Sequence, residues 1–354
     1  MDDEERMVAD RLDGVPLPEE TMDLVGHAAA LVRLQDAHRQ NRLHQAWMIS
    51  GPEGIGKATF ALHFARQLLT YPDGRSMPDP VAPSAIPEGV SGPIARGAHP
   101  NLLHLRRPWD AKKKDFKTRL TVDEVRRTQA FYAMTAGAGG WRIAIVDCAD
   151  DMNPNAANAL LKILEEPPRN SLFLVLSHSP GKLLPTIRSR CQHLPLKPLA
   201  ASDIVDVIRS MGMTVDNRRL ADVASRAEGS VRRALELVTT DALDHLKVFE
   251  ALLLKRANGS PQDWTAVHAL AGQLATKAQE EAYHLFFDLA LNSLASHVRE
   301  LAIGTERASA GFLAGQAEVW EKTVESKRVA DAYNLDKKQE VLNFFGRVFA
   351  LARP

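Results

Sequence analysis

Residues 46–60 read A-W-M-I-S-G-P-E-G-I-G-K-A-T-F, and this stretch decides the fold. Ala46 to Ser50 is a short apolar run of the kind a buried strand needs. Gly51, Gly54 and Gly56 then form a turn whose backbone N–H groups can face an anion. A helix is predicted from about Lys57 to Leu69, with Phe60, Phe64, Ala65 and Leu68 on its apolar side. Strand, glycine-rich turn and helix together make one βα unit.

Outward from this unit the pattern repeats. Leu24 to Gln40 has helical spacing through Ala30, Leu31, Leu34 and Ala37. Asn101 to Leu105 reads as a strand, and Val122 to Ala133 as a helix opened by Thr121, with Glu124 at the reach-back position of a capping box. Trp141 to Asp147 (W-R-I-A-I-V-D) and Leu172 to Ser177 read as buried strands. Between them Asn153 caps a helix with Pro154 at its first position; Ala157, Leu160, Leu161 and Leu164 line one face, and Pro167-Pro168 ends it. Short apolar strands alternating with helices predict an α/β fold on a parallel sheet. After Pro198 the strands stop. Three short helices are expected over Asp203–Met211, Arg218–Ala227 and Ser230–Val238, and everything from Ala242 onward is helical.

Two stretches break the alternation. Residues 1–20 are polar, hold Pro16 and Pro18, and read as a loose tail. Residues 71–100 carry Pro72, Pro78, Pro80, Pro83, Pro87, Pro93 and Pro100, which leave no room for a helix or a central strand, so this stretch reads as an insertion.

Composition narrows the class. The 354 residues suffice for two or three domains, and an apolar share of 45% with 25% charged residues is ordinary for a globular chain. Lys plus Arg and Asp plus Glu number 44 each, so net charge lends no support to a nucleic-acid-binding chain. The charge is uneven: Asp2, Asp3, Glu4 and Glu5 are acidic, and the run from Arg106 to Arg119 is basic, with Trp109 and Phe116 interspersed. Runs like the latter are usually solvated loops. Cys148 and Cys191 are too few and too distant for a disulfide framework. With no apolar run long enough to span a membrane and no leader-like start, the expected location is cytoplasmic.

Gly51-Pro-Glu-Gly-Ile-Gly-Lys57-Ala58 is one residue short of the P-loop pattern G-x-x-x-x-G-K-[ST]. Lys57 would reach the β and γ phosphates, but Ala58 lacks the hydroxyl that binds magnesium. Thr59 is one helical step further on, about 100° around the axis. The plain alternative is a glycine-rich turn with no ligand. Ile143 to Asp147 followed by Cys148 sits where a second NTPase strand ends in Asp-Glu. Asp147 would hold magnesium through water; Cys148 replaces the carboxylate that polarises the attacking water, and reads best as a small buried apolar residue. Two independent losses, Ala58 and Cys148, point the same way: hydrolysis by this chain is not expected, and nucleotide binding is left open. His178 sits where a polar sensor residue would lie, or is an ordinary polar loop residue.

Several motifs occur in one order over about Val25–Val238: His44-Gln-Ala-Trp47, the defective P-loop, Gly97-Ala-His-Pro-Asn101, Asn158-Ala-Leu-Leu-Lys-Ile-Leu-Glu-Glu-Pro-Pro168, Ser189-Arg190-Cys191 and Gly229-Ser-Val-Arg232-Arg-Ala-Leu235. This set resembles bacterial clamp-loader AAA+ subunits. The resemblance implies an AAA+ P-loop NTPase-like sheet domain over 21–198, a small helical lid over 199–241 and a C-terminal helical collar over 242–354. Such subunits usually carry a four-cysteine zinc module where residues 71–100 lie. That stretch has no cysteine, and His99 and His104 alone cannot complete a tetrahedral site, so no zinc is expected.

The resemblance also assigns roles. Ser189-Arg190-Cys191 matches the arginine-finger motif. Arg190 would act in trans on the ATP of a neighbouring subunit, with Ser189 and Cys191 shaping the loop; the plain alternative is an arginine paired with a carboxylate on its own surface. Gly51, Gly54, Gly56, Lys57, Asp147 and Arg232 would make up a degenerate nucleotide site, with Arg188 and Arg233 able to share the arginine roles. Implied partners are the tau or gamma ATPase subunits, the delta subunit, the sliding clamp and primer–template DNA; any polymerase activity would belong to the holoenzyme. No cofactor is required on this reading. The helix Pro154–Glu165 would face the ring's chamber but offers only Lys162 as a cation. Leu285, Phe286, Leu289 and Leu294 fit either an internal core or a subunit interface. Two other classes compete: an active loader ATPase, opposed by Ala58 and Cys148, and a stand-alone DNA-binding module, opposed by the neutral charge.

Overall fold

A computed structural model of the chain describes residues 8–9, 11–133, 140–257, 260–303 and 310–350. The acidic start, residues 2–5, lies outside them. The chain divides into two compact units, Met1–Arg233 and Ala234–Pro354.

The first unit is an α/β layer structure. Its strands are β1 (Ala46–Ser50), β2 (Leu102–Leu105), the short pair β3 (Trp109–Asp110) and β4 (Asp115–Phe116), then β5 (Arg142–Val146), β6 (Ser171–Ser177) and β7 (Gln192–Pro195). Five of them form a parallel sheet in the order β2-β5-β6-β1-β7, with Met48 opposite Val175 and Ile145 opposite Leu174. Helices α1 (Ala28–Arg39), α2 (Lys57–Thr70), α3 (Glu88–Ala95), α4 (Val122–Ala133), α5 (Pro154–Glu165) and α6 (Pro185–Arg188) connect and cover the strands.

Both faces are buried, which explains why the strands read as continuous apolar runs. On one face Ile49, Ile143, Ile145, Leu172 and Leu174 pack with Leu34, Phe60 and Phe64 of α1 and α2. On the other, Met48, Ala144, Val146, Phe173 and Val175 pack with Val125, Leu160 and Leu164 of α4 and α5. Successive residues of one strand point to opposite faces, so a single strand feeds both cores. At the head of α5 the Asn153 side chain accepts from the Ala156 N–H at 2.8 Å, with Pro154 at the first position.

Two expectations are corrected, and one strand is additional. Residues 71–100 do contain a helix, α3, with Pro93 inside it. Pro87 sits before its first turn, where its fixed φ fits, and Pro93 forgoes one backbone bond while the neighbouring Ile94 is fully buried in the core. Residues 17–20 are no loose tail: Leu17 is buried, and Glu19 is 2% exposed. The additional strand, β7, follows directly on Cys191. Only Leu194 of its four residues is buried, and Pro195 is tolerated because β7 is an edge strand.

Helices α7 (Ala201–Ser210) and α8 (Asn217–Arg226) belong to the first unit, and α9 (Val231–Thr239) spans the boundary. The second unit holds α10 (Ala242–Ala257), α11 (Trp264–Leu274), α12 (Glu280–Ile303), α13 (Ala310–Tyr333) and α14 (Lys337–Ala350). Phe249, Phe286, Phe287, Phe344 and Phe345 form its aromatic centre, with Phe249 stacked on Phe344 at 5.4 Å between ring centroids. Leu285, Phe286, Leu289 and Leu294 are all buried within this unit. No helix among the described residues is long and apolar enough to cross a membrane.

Candidate functional site

The candidate site lies at the carboxyl ends of β1, β5 and β6, where open α/β sheets bind ligands. The P-loop backbone has the shape the motif implies. Gly54 and Gly56 take φ of 74° and 92°, the left-handed region that favours glycine. Gly54 is also closely approached: its carbonyl accepts from the Arg232 N–H at 3.2 Å, and a Cβ on it would lie 2.6 Å from Cβ of Arg232. The first turn of α9 is thus laid against the loop. His27 adds a contact from the head of α1, its Nε2 lying 2.8 Å from the carbonyl oxygen of Ile55.

Lys57 is turned inward. Its Nζ donates to the carbonyl oxygens of Gly51 at 2.7 Å and Pro52 at 2.6 Å. Burial pulls the ammonium below the usual lysine range, opposed by the charges of Asp147 and its neighbours. The lysine therefore caps carbonyls of its own loop.

Asp147 is engaged by basic side chains of its own chain. Its Oδ2 lies 3.2 Å from Nε2 of His104 and 3.8 Å from Nε of Arg106. Both bases also reach Glu19: Arg106 Nη1 lies 2.8 Å, and His104 Nδ1 3.5 Å, from its Oε1. Burial alone would raise the Asp147 carboxyl, but the bond to His104 and the charge of Arg106 hold it below the usual carboxylate range. Glu19 is depressed likewise: its burial is outweighed by His104 and Arg106. The resemblance implies a magnesium ion here in active family members. These residues do not fit one, since the hydroxyl is missing at Ala58 and the carboxylate of Asp147 is already matched by an internal basic pair.

Cys148 takes a left-handed conformation with φ 56°, and its Sγ lies 3.5 Å from Nε2 of His178. Asp150 binds the other side of the same corner, accepting from Oγ of Ser177 at 2.8 Å and from the backbone N–H groups of His178 and Ser179. These contacts tie the ends of β5 and β6 together.

Arg190 stands apart from the P-loop group. In the turn just beyond α6, its Nη1 donates to the carbonyl oxygen of Thr186 at 3.0 Å, and its Nη2 pairs with Oε1 of Glu165 at 2.9 Å. The side chain is 36% exposed. Ser189 donates its hydroxyl to the same Thr186 carbonyl at 3.0 Å. Cys191 is half-buried against the core of α5 and α6, and burial pushes its thiol up to about 11.

Sequence reasoning named Gly51, Gly54, Gly56, Lys57, Asp147 and Arg232 as one site; the structure brings the loop glycines, Lys57 and Arg232 together and places Asp147 among other partners. It missed Glu19, His104, Arg106, Asp150 and Glu165. The only legible signal for any of them was a histidine inside the otherwise apolar L-L-H-L of β2.

Residues 26–200 match the family described as "DNA polymerase III, delta subunit". The DNA polymerase III subunit delta' of Pseudomonas aeruginosa is 41% identical over 173 residues, covering 48% of this chain and 47% of that protein. The subunit tau of Bacillus subtilis is 29% identical over 247 residues, covering 68% of this chain and 41% of that protein. The chain therefore spans about half the length of the curated relatives it matches. Among solved structures, a gamma-subunit-related protein of Thermotoga maritima aligns at a TM-score of 0.45 with 17% identity, over 90% of this chain and 97% of that one.

Proposed function

We propose, for a chain whose residues 26–200 belong to the DNA polymerase III delta-subunit family, that it serves as a delta'-type clamp-loader subunit without hydrolysis of its own. Among its relatives, the identity to a delta' subunit is higher than that to the tau subunit, 41% against 29%. The observation that carries the reading is Asp147: its carboxylate is matched by His104 and Arg106, beside a missing hydroxyl at Ala58 and a thiol at Cys148. A site built this way cannot position magnesium or polarise water.

Under the same proposal Arg190 is the working residue. An exposed guanidinium offered to a neighbouring ATPase subunit stabilises charge on the transferring phosphoryl group, an effect on the order of 10³–10⁵ in rate for such fingers. Ser189 and Cys191 hold its loop. The tau or gamma ATPase subunits, the delta subunit, the sliding clamp and primer–template DNA are the partners this implies, in the cytoplasm. Residues 199–241 would act as a lid and 242–354 as the collar. The chain itself would need no cofactor and no zinc, and polymerase activity would reside elsewhere in the holoenzyme.

The test is clamp- and DNA-stimulated ATP hydrolysis by a reconstituted loader carrying the wild-type chain or Arg190→Ala. The chain alone should show no turnover, and the variant should assemble normally while cutting turnover of the complex sharply. Turnover by the chain alone, or an Arg190→Ala complex as active as wild type, would refute the reading.

A further inference from the structure

The basic run 106–119 is not a loop hanging in solvent. Strands β3 and β4 pair as an antiparallel hairpin, with Trp109 opposite Phe116 and Asp110 opposite Asp115. It leaves the sheet from the edge strand β2, and both of its ends are fixed. On the near side Arg106 is bound to Glu19 at 2.8 Å. On the far side Leu120 is fully buried, and its N–H donates to the Asp151 carbonyl at 3.1 Å. The Lys117 N–H closes the ladder on the Pro108 carbonyl at 2.9 Å.

At the tip, Asp110 accepts from the backbone N–H groups of Lys112 and Lys113 at 3.0 and 3.4 Å, and Lys114 takes the left-handed conformation with φ 52°. The turn is thus held by its own acidic residue, and the lysine side chains project from it. Lys112, Lys113, Lys114, Lys117 and Arg119 are all exposed, against Asp110 and Asp115 as the acidic residues of the hairpin. Among the described residues no ion pair joins these five cations to a carboxylate. Trp109 and Phe116 meet edge to face at 5.1 Å, which fixes the indole while 36% of Trp109 stays open to solvent.

A rigid, partly open aromatic ring flanked by unpaired cations is the composition of a single-strand binding surface: cations follow the phosphates, and a base stacks on the ring. An acidic protein would use the lysines alike, and competition with an acidic polymer separates it from a single strand; a duplex hides its base faces. A chain with no net charge concentrates these cations on one projection. We propose that the β3–β4 hairpin binds single-stranded nucleic acid, through Lys112, Lys113, Lys114 and Lys117 to phosphates and Trp109 to an unpaired base. This site is separate from the P-loop and from Arg190, and it stands or falls without them.

The experiment is fluorescence anisotropy of a labelled oligo-dT with the full-length chain, over a series of salt concentrations. Wild type should bind at low salt. Changing Lys112, Lys113 and Lys114 together to Ala should weaken binding at least about 10-fold and reduce the dependence of log K on log salt by about 2, since a single strand loses about 0.7 per phosphate contact. Trp109→Leu, which keeps an apolar partner for Phe116, should weaken binding about 10-fold with the salt dependence unchanged. The triple change touches no packed side chain, so it tests the site even where Trp109→Leu lowers the melting point. Absence of binding by wild type would overturn the proposal. So would tighter binding of the matching duplex, displacement of the oligonucleotide by poly-glutamate at equal charge, or variants that bind as wild type does.

Discussion

Nη2 of Arg190 lies 2.9 Å from Oε1 of Glu165, so the last turn of α5 holds the guanidinium presented by the turn that follows α6. Arg190 and Glu165 are 36% and 44% exposed, and pairs this open contribute little to stability. Arg190→Ala and Glu165→Gln should each change unfolding free energy by no more than about 0.5–1 kcal/mol, checked by urea unfolding. A loss of turnover in the complex with Arg190→Ala would then be an effect on chemistry rather than folding. A large loss of stability in either variant would instead make the arginine a structural residue.

The buried network of Glu19, His104, Arg106 and Asp147 predicts acid sensitivity. Both carboxyl groups titrate lower in the folded chain than in the unfolded one. Their stabilisation is therefore present above the ordinary carboxylate range, about pH 4, and is lost as pH falls through the depressed folded values. Glu19→Gln should lower stability near neutral pH and flatten the decline on acidification. Thermal unfolding of both proteins across pH 3–7 checks this, and parallel curves would contradict it.

Cys191 should be a slow thiol. With burial pushing it up to about 11, almost none is thiolate at pH 8, where an ordinary cysteine is partly ionised. In a Cys148→Ser background, iodoacetamide labelling of the native chain should be far slower than labelling in urea, read by mass spectrometry. Equal rates would show the side chain to be accessible and ionised.

In the second unit Phe344 is fully buried between Phe249, Phe286, Phe287 and Phe345. Phe344→Ala should cost about 3–5 kcal/mol, the usual range for removing a buried aromatic ring. Calorimetric unfolding of the whole chain measures it, and a cost under about 1 kcal/mol would mean that the aromatic centre repacks.

The parallel sheet was legible because its strands are buried on both faces and so stand out as unbroken apolar runs, as in I-A-I-V of β5 and L-F-L-V-L of β6. The glycine spacing of the P-loop and the cap at Asn153 were legible for a local reason: each depends on residues a few positions apart. Strand β7 was not, since only one of its four residues is buried and an edge strand leaves little pattern. The α3 helix was hidden by Pro87 and Pro93, whose cost is offset by burying Ile94, a contact that no local rule contains.

By itself, then, the sequence determined the βα order, the defects at Ala58 and Cys148 and the presence of Ser189-Arg190-Cys191, all properties of residue identity and short spacing. The tertiary structure alone decided that Asp147 is matched by His104 and Arg106, that Glu19 joins them from a segment more than 80 residues away in the chain, that Glu165 holds Arg190, and that Leu285 and Leu289 lie in a core. Those pairings depend on strand order and on the packing of distant segments. Charge pairing and burial act through space, whereas sequence patterns record only what lies close along the chain.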